Sequence, residues 1–365
     1  MRPERAPLAA VSLSFREAPT GVRVRASAPM DEAQVAGLRA QGVTGVVELH
    51  TCARSLWLAA GENPAWTGAL LQSMVAARVG GDVLPNVYGG VDAFRHVLRV
   101  SVGLESFVQG EADVGAQAVG AFEAAREQGR SCGLLNVLHQ GVAHLIAEGR
   151  ELGFIRQNRG LGQLAVVALR ARGADPTRSV GVIGAGAIGE RVAASLRRAA
   201  WAEPVLYNRT GRQGVRSLDE IEDHEAIVLC TAGPARWFSP RVAHRHVIDL
   251  GLPPQCAGDA VGLDALLAGD ELRLPAERVE LGEAAVAREL EAVLHRVRTA
   301  HWRRGLAGVQ ALRDQFLEQE LAALLQEAVG ELDDDQQRRV LAAARGAFRQ
   351  YSHRMLTWLR DEANS

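Results

Sequence analysis

The sequence predicts an α/β protein of several domains, and three observations support this. At 365 residues, the chain exceeds what one hydrophobic core usually organises. Short strand-like runs mixed with helical stretches come first, and a strand followed by a glycine-rich loop and a helix comes near the middle. The last part keeps a helical period of apolar residues. We expect an α+β domain over 1–155, a parallel-sheet domain over 156–278 and a helical region over 279–365.

The composition is that of an ordinary globular chain. Hydrophobic residues make up 47% and charged residues 23%. Apolar runs stay far short of the roughly 20 residues that a membrane helix needs. The opening MRPERAPLAAVSLSF has no continuous apolar core of the kind found in signal peptides. We therefore expect a cytoplasmic location and no membrane partner.

The charged and sulfur-containing residues exclude several kinds of site. The net charge is −2, so an RNA partner would have to meet a local basic surface. Lysine is absent, which excludes a lysine Schiff base and a P-loop lysine. The 4 cysteines are dispersed and form no CxxC pair. We expect no metal site and no disulfide framework.

The first domain is predicted from alternating element types. The runs AAVSLSF, GVVELHTCA and LWLAA have strand character, whereas DEAQVAGLRAQ and WTGALLQSMVAARV have a helical period. Residues 91–152 are almost wholly helical in pattern, and GFIRQNRG then breaks the period. This mixture indicates an α+β domain.

The second domain opens with a dinucleotide-binding pattern. The apolar run Val180–Ile183 precedes a GxGxxG loop, and a helix is expected over 190–200. In that setting the glycines permit a tight turn, close approach of backbone to a pyrophosphate, and close packing of helix on strand. The loop residues are Gly184, Ala185, Gly186, Ala187, Ile188 and Gly189. Further buried strands in PVLYNRT, EAIVLCTAG and HRHVIDLGL indicate a Rossmann-like parallel sheet.

The end of the second strand favours NADP over NAD. An NAD site usually carries an acidic residue there, but this chain has Asn208, Arg209 and Thr210. Arginine is suited to a 2′-phosphate because its planar guanidinium carries full charge. The alternative is that Arg209 is a solvated loop residue. Thr231, at the end of a later strand, is expected to line the nicotinamide side.

The C-terminal region has long amphipathic patterns after Pro275, the last proline. Helices of this kind bury their apolar stripe on another element. They either pack as a bundle within the chain or form a dimer. We expect a homodimer, because the stripe exceeds what a monomer needs.

Cys52 stands at the end of an apolar strand, between His50 and Arg54. Adjacent positive charge lowers the pKa of a thiol and favours the reactive thiolate. The alternative is a small core residue, since cysteine is often buried.

Two segments resemble those of the glutamyl-tRNA reductase family. HTCARSLWLA resembles that family's TCNR-centred nucleophile segment and retains Thr51, Cys52 and Arg54. HVLRVSVGLESFVQGEADVGAQAVGAFEAAREQG is similar to the stretch that joins a catalytic histidine to the family's GLDS…GE…GQ signature. The matching residues there are His96, Gly103, Leu104, Ser106, Gly110, Glu111 and Gln117. The GxGxxG loop, NRT, IDLGLPP and the final HRMLTWLR also fit, in the family's order.

The resemblance implies an activity and roles for these residues. Cys52 would attack the ester carbonyl of glutamyl-tRNA, and NADPH would reduce the resulting thioester to glutamate-1-semialdehyde, in tetrapyrrole and heme biosynthesis. His96 would be the acid/base, with an ordinary pKa near 6.5. Arg54 and Glu111 would bind the substrate's α-carboxylate and α-amino group, assisted by Thr51, Ser106 and Gln117. A homodimer and an association with glutamate-1-semialdehyde aminomutase are the implied protein partners.

Alternatives remain for individual residues and for the whole chain. His96 could be a helix histidine bonded to a backbone carbonyl, and Arg54 and Glu111 could form surface ion pairs. The chain departs from the family pattern at several positions, namely Phe15, Ala53, Ser55, Leu56, Val102 and the GLGQLAVVAL segment. These changes leave open a paralogue that reduces another acyl donor and a non-catalytic regulatory binding protein.

Overall fold

The computed structural model describes residues 6–51, 53–81, 83–156, 160–211, 213–267, 273–316, 323, 327 and 332–364. Cys52 therefore lies outside the described residues. The chain forms two compact units, Met1–Glu291 and Ala292–Ser365. The expected boundary at 155/156 does not separate compact units, and the three-domain division stays a prediction.

The first unit begins with an antiparallel sheet of four strands in the order β2-β3-β1-β4. The strands are β1 (Leu8–Ser14), β2 (Val43–His50), β3 (Arg54–Gly61) and β4 (Asn86–Gly89). Three helices are interspersed, α1 (Thr20–Ala26), α2 (Glu32–Ala40) and α3 (Pro64–Val79). Asp31 begins α2 with a capping box, and the Asn63 side chain accepts a hydrogen bond at the start of α3. The predicted α+β arrangement is present.

The register of β1 and β3 divides their side chains between the two faces of this sheet. Val11 pairs with Trp57, and both belong to the core that packs against α3. Ser12 pairs with Leu56 and so shares the opposite face with Arg54, because side chains alternate along a strand. Helix α4 (Val91–Ser101) packs against β1 and carries His96.

Residues 91–151 form three helices, as the pattern predicts. They are α4, α5 (Ala112–Glu127) and α6 (Gly133–Glu151). The turn between α4 and α5 needs glycine at two positions, Gly103 and Gly110, whose φ angles are +75° and +74°. A Cβ on Gly110 would lie 2.2 Å from the carbonyl oxygen of Phe154. The family-like GLES…GE spacing therefore describes one tightly fixed turn.

A parallel sheet of six strands follows, in the order β10-β9-β8-β5-β6-β7. Its strands are β5 (Val180–Ile183), β6 (Val205–Asn208), β7 (Arg216–Ser217), β8 (Ala226–Leu229), β9 (His246–Asp249) and β10 (Val261–Gly262). The accompanying helices are α7 (Leu161–Ala171), α8 (Ala187–Arg198) and α9 (Leu263–Leu267). Strand order reverses between β5 and β8, which is where open α/β sheets form a crevice. The predicted parallel sheet is confirmed.

Helix α8 differs from the sequence expectation at its start. It begins at Ala187 and not at residue 190, because Gly186 is its N-cap. The last turn of the glycine motif is thus already helical, and its free N–H groups lie at the end of β5.

The C-terminal residues form the predicted long helices, α10 (Ala276–Gln315) and α11 (Asp334–Asn364). The unit boundary falls within α10, and the expected boundary at 278/279 falls in the first turn of that helix. In the parts of the chain that the structure describes, no helix combines the length and apolarity needed to cross a bilayer.

Candidate active site and switch-point cavity

The hairpin turn between β2 and β3 is held by Thr51. The Thr51 N–H donates to the Arg54 carbonyl at 2.7 Å, and the Thr51 hydroxyl accepts from the N–H groups of Ala53 and Arg54 at 3.3 and 3.0 Å. The hydroxyl is thus engaged inside the turn. Thr51, expected as a substrate contact, lies where it fixes the backbone on both sides of position 52.

Arg54 is buried and ties this turn to two other segments. Its Nη1 donates to Ser12 Oγ at 2.8 Å and lies 3.3 Å from His96 Nε2, while its Nη2 donates to the Glu105 carbonyl at 2.9 Å. The residue is 7% exposed. A surface ion pair therefore does not describe Arg54. Its charge lies inside the protein, on the sheet face that carries α4.

His96 is held as a neutral ring. An arginine only donates hydrogen bonds, so the neighbouring Nε2 must be the unprotonated nitrogen. The ring stacks on Tyr88 with centroids 4.0 Å apart. Burial, followed by the charge of Arg54, lowers the pKa of His96 to about 3. The expectation of an ordinary pKa near 6.5 is wrong for this structure, because desolvation and a fixed cation both oppose protonation.

Glu105 balances the cations of this site. Its carboxylate accepts from Arg99 Nε at 2.8 Å and lies 3.9 Å from Arg54 Nη2. Burial by itself would raise the pKa of Glu105, but the Arg99 hydrogen bond and the charges of Arg99 and Arg54 hold it below its ordinary value. No sequence pattern used above indicates Glu105, although it stands beside Ser106 in the GLES segment.

Ser106 and Glu111 contact each other in the turn between α4 and α5. A hydrogen bond from Ser106 lowers the pKa of Glu111, but burial and the charge of Asp113 outweigh it and raise that pKa to about 7. Asp113 in turn pairs with Arg191 of α8. Glu111 is thus partly buried between the helical segment and the second sheet, in a position where it exchanges a proton near neutral pH.

Gln117 and His50 have different surroundings from the residues above. Gln117 is exposed on α5, one helical turn after Asp113. His50 faces the opposite side of the sheet from Arg54, since it pairs with Ser55 and its ring packs 5.4 Å from Trp57. His50 and Arg54 therefore place their side chains on different faces of the sheet, because side chains alternate along a strand.

A cavity of about 650 Å³ opens at the carboxyl ends of β5, β6 and β8; we call it the switch-point cavity. It collects segments that are far apart in the sequence. Its lining consists of Ile183, Gly184, Ala185, Gly186, Asn208, Arg209, Leu218, Cys230, Thr231, Ala232, Gly233, Pro234 and Trp237. Thus Gly184, Asn208, Arg209 and Thr231 share one cavity, as the sequence predicts. Thr210 is exposed beside it, and Ala187, Ile188 and Gly189 begin α8.

The glycines of the loop fit a dinucleotide phosphate. A Cβ on Gly184, whose φ is +109°, would lie 2.7 Å from the Cys230 carbonyl oxygen. A Cβ on Gly189 would lie 1.7 Å from the Gly184 carbonyl oxygen, so α8 packs directly on the loop. Gly186 has open space and lines the cavity. Backbone can therefore approach a ligand closely at the N-terminus of α8, where anions are favoured.

Gln255 is a buried residue of the site that the sequence reasoning missed. It is 0% exposed and hydrogen-bonds Thr231, Gly233 and Trp237, three residues that line the switch-point cavity. The only sequence feature that could have indicated Gln255 is the family-like IDLGLPP segment directly before it.

The described cysteines are Cys132, Cys230 and Cys256, and the three are free. Cys230 lines the switch-point cavity, but burial raises the pKa of its thiol, which disfavours the thiolate. Cys132 is a free, partly exposed cysteine at the start of α6. Among the described residues, no group of three His, Cys, Asp or Glu side chains is arranged to hold a metal ion.

Comparison with known proteins identifies a family model and several relatives. Residues 11–150 match the family model described as glutamyl-tRNAGlu reductase, N-terminal domain. The glutamyl-tRNA reductase of Thermus thermophilus is 35% identical over 276 residues, covering 68% of this chain and 67% of that protein. Glutamyl-tRNA reductase 1 of Pyrobaculum calidifontis is 36% identical over 239 residues, covering 57% and 62%. The chain thus spans about three fifths of the length of the first relatives it matches.

A solved structure shares the fold. The glutamyl-tRNA reductase of Methanopyrus kandleri superposes with a TM-score of 0.53 at 23% identity, covering 98% of this chain and 99% of that one. The order of strands and helices is therefore found in a protein of known structure.

Proposed function

The chain belongs to the glutamyl-tRNA reductase family, and from that premise we propose that it reduces glutamyl-tRNA to glutamate-1-semialdehyde with NADPH. The observation that carries the proposal is the pairing of two sites in one compact unit. One is the Thr51–Arg54 turn with its buried Arg54–His96 contact, and the other is the glycine-lined switch-point cavity.

The first half of the reaction is assigned to Cys52. Its thiolate attacks the ester carbonyl of glutamyl-tRNA, so that a C–S bond forms, the C–O bond to the tRNA breaks, and the ribose oxygen takes a proton from water. Thr51 supports this step by fixing the backbone on both sides of position 52. Arg54 places a buried positive charge at the end of the same turn, and positive charge favours a thiolate.

The second half is assigned to a Rossmann-like domain built on the six-stranded sheet. When bound, NADPH supplies the hydride that converts the thioester to the aldehyde and frees the thiolate. Gly186 and the N-terminus of α8 would hold the pyrophosphate, because the space beside Gly186 is open, and Gly184 would permit the turn that brings them together. Arg209 would hold the 2′-phosphate at the end of β6, in place of the acidic residue of an NAD site.

Substrate recognition is assigned mainly to Glu111 and Ser106, in the turn between α4 and α5. An ionised Glu111 would hold the α-amino group of the glutamyl moiety, with Ser106 fixing the carboxylate. Arg54 is the candidate for the α-carboxylate, and Gln117 is a candidate contact on the exposed face of α5. His96 supplies a neutral imidazole beside Arg54, which orients the guanidinium by accepting its hydrogen bond.

The proposed reaction implies partners and a location. Its product is a reactive aldehyde, and direct transfer to glutamate-1-semialdehyde aminomutase would protect it from water. We include that association, a cytoplasmic location, a role in heme biosynthesis, and a homodimer formed by the C-terminal helices in the proposal. The helical dimer rests on the exposed apolar residues of α11.

The decisive experiment is a single-turnover reaction of the purified chain with radiolabelled glutamyl-tRNA and NADPH. Wild type should form semialdehyde, and Cys52→Ser should form none. Cys132→Ser is the matched control, since Cys132 is a free and partly exposed thiol to which the proposal gives no role. Without NADPH, wild type and Cys132→Ser should retain label on the protein as a hydroxylamine-sensitive thioester, and Cys52→Ser should not.

The alternative of a paralogue that reduces another acyl donor predicts a different outcome. Leu56 is buried on the sheet face of Arg54, where the family pattern carries a charged residue, and this favours a different acyl donor as the second candidate. Wild type that binds NADPH, leaves glutamyl-tRNA untouched and forms a thioester with another acyl donor would establish that candidate. Full activity of Cys52→Ser would contradict both.

A further inference from the structure

One buried side chain, that of Gln255, fixes three points on the wall of the switch-point cavity. Its Oε1 accepts hydrogen bonds from Thr231 Oγ1 at 3.1 Å, from the Gly233 N–H at 3.1 Å and from Trp237 Nε1 at 2.5 Å. Its Nε2 donates to the carbonyl oxygens of Gly233 at 3.0 Å and Pro253 at 2.5 Å. A single amide therefore satisfies a hydroxyl, an indole and both backbone groups of Gly233.

Gln255 is itself held in place by the end of β9. Its N–H donates to Asp249 Oδ2 at 2.6 Å, and the same carboxylate accepts from the N–H groups of Cys256 and Gly251 at 2.8 and 2.9 Å. A Cβ on Gly251 would lie 2.2 Å from Gln255 Cγ. The side chain is thus enclosed, and rotation of the amide away from the loop would leave buried polar groups without partners.

The three residues that Gln255 holds all line the switch-point cavity, on the side away from Arg209. Thr231, Gly233 and Trp237 follow β8, whereas Asn208 ends β6 and Arg209 follows it. Gln255 itself is absent from the lining and has 0% exposure. It acts on the cavity only through the groups that it bonds, in the manner of a residue behind a binding wall.

We propose that Gln255 is a positioning residue for nucleotide binding: by fixing Thr231, Gly233 and Trp237, it sets the shape of one wall of the switch-point cavity before the nucleotide arrives. This inference rests on the proposed function, in which that cavity holds NADPH. Preorganisation of a wall lowers the cost of ordering it on binding, so its loss weakens affinity without removing a direct contact.

The test is isothermal titration calorimetry of the full chain with NADP⁺, without tRNA. Gln255→Leu should raise the Kd by about tenfold or more, since the loop loses the four hydrogen bonds that this side chain makes to Thr231, Gly233 and Trp237. Gln72→Leu is the matched control, because Gln72 Nε2 also donates to a backbone carbonyl, that of Pro85 at 2.8 Å, far from the cavity lining. Urea unfolding of both variants reports loss of stability separately from loss of affinity.

Gln255→Glu adds a readout that a purely structural role would not give. Its ionised carboxylate keeps the acceptors but faces the carbonyl oxygens of Gly233 and Pro253 without a donor, whereas its protonated form restores one donor. The Kd of this variant, divided by that of wild type at the same pH, should therefore fall toward one as the pH is lowered from 8 to about 5.

The outcomes separate this inference from the proposed function. Equal affinities of wild type and Gln255→Leu would overturn the inference and leave the proposed function standing. An equal loss of affinity in Gln72→Leu would also overturn it, since general destabilisation would then explain the effect. Failure of the wild-type chain to bind NADP⁺ or NADPH would overturn both.

Discussion

At the scale of single residues, the described part of the candidate site is governed by charges taken out of water. Arg54 is almost fully buried, and Glu105 is the anion nearest to its charge. His96 stays neutral beside it and Glu111 holds its proton to near neutral pH. Each of these states follows from desolvation together with one neighbouring charge, so each has a pH dependence with a definite sign.

The low pKa of His96 should make the protein sensitive to acid. In the folded chain this pKa is about 3, whereas an unfolded histidine titrates near 6.5. Between about pH 3 and pH 6.5, the unfolded state therefore binds a proton at this histidine and the folded state does not. Stability from this group is complete above pH 6.5 and is lost as the pH falls toward 3. Between pH 7 and pH 5, wild type should lose about 2 kcal/mol more unfolding free energy than His96→Gln.

Urea unfolding at several pH values checks this expectation. The other histidines titrate equally in both proteins, so the difference between the two curves isolates His96. Parallel curves for wild type and His96→Gln would show that the ring titrates normally in the folded chain and would contradict the buried, arginine-bonded state.

Glu111 should make stability depend on pH in the opposite direction from His96. Its folded pKa of about 7 exceeds the ordinary value of 4.5, so the folded state holds a proton that the unfolded state releases. Wild type therefore loses stability as the pH rises from 4.5 through 7. Glu111→Gln, which mimics the protonated form, should be more stable than wild type by about 1 to 3 kcal/mol at pH 8 and by little at pH 5.

The same variant should lose activity where it gains stability. If Glu111 binds the α-amino group as a carboxylate, kcat/KM for glutamyl-tRNA should rise with pH through about 7 in wild type. Glu111→Gln should reduce kcat/KM by about a hundredfold or more and remove that rise. A variant with unchanged kcat/KM would exclude Glu111 from substrate binding.

At the scale of elements, the junction of β5 with α8 combines two glycines that have different duties. Gly189 lets the helix lie on the loop, since a Cβ there would lie 1.7 Å from the Gly184 carbonyl oxygen. Gly186 has nothing within 4 Å of its would-be Cβ and lines the cavity. Helix packing therefore requires a glycine at position 189, whereas close approach of a ligand requires one at position 186.

Alanine at each position should separate these duties. Gly189→Ala should lower the unfolding free energy by about 3 kcal/mol, because the loop must move to admit a methyl group. Gly186→Ala should change stability by less than about 0.5 kcal/mol, yet weaken NADP⁺ binding by about tenfold, because its methyl group occupies the surface that backbone offers to phosphate. Calorimetric titration and thermal unfolding of both variants check this. A Gly186→Ala protein that binds NADP⁺ normally would mean that the pyrophosphate lies elsewhere.

At the scale of the whole molecule, the C-terminal unit offers an apolar stripe suited to a second copy. On α11, Tyr351 is 68% exposed and Met355 is 39% exposed, and these positions share one helix face with Phe348. Phe348 also contacts Phe316, with ring centroids 5.1 Å apart. A stripe of this kind is covered in most stable proteins, which is the basis of the proposed homodimer.

Charge placed on that stripe should dissociate the dimer. We expect wild type to elute as a dimer at low micromolar concentration, and the double variant Tyr351→Arg, Met355→Arg to elute as a monomer. Ala342→Arg is the control, because Ala342 is exposed on the opposite side of α11 from Tyr351. Size-exclusion chromatography with light scattering measures the mass of each. A monomeric wild type would contradict the homodimer.

Local patterns were sufficient to predict much of the fold. The strand Val180–Ile183 and the glycine loop are recognisable in the sequence, because a buried strand and a tight turn each depend on consecutive residues. Helix α8 starts three residues earlier than the pattern predicts, since the glycine that caps it also belongs to the loop motif. The long helices α10 and α11 followed from sustained amphipathic periodicity.

The sequence alone thus determined the parallel sheet, the glycine loop, the terminal helices and the family resemblance, because each depends on residues close together in the chain. Tertiary structure decided the neutral state of His96, the proton on Glu111, the opposite facing of His50 and Arg54, and the role of Gln255. These depend on partners that are distant in sequence, such as His96 and Arg54, 42 residues apart. Protonation states and cavity walls depend on which groups burial brings together, and only the packed chain fixes that.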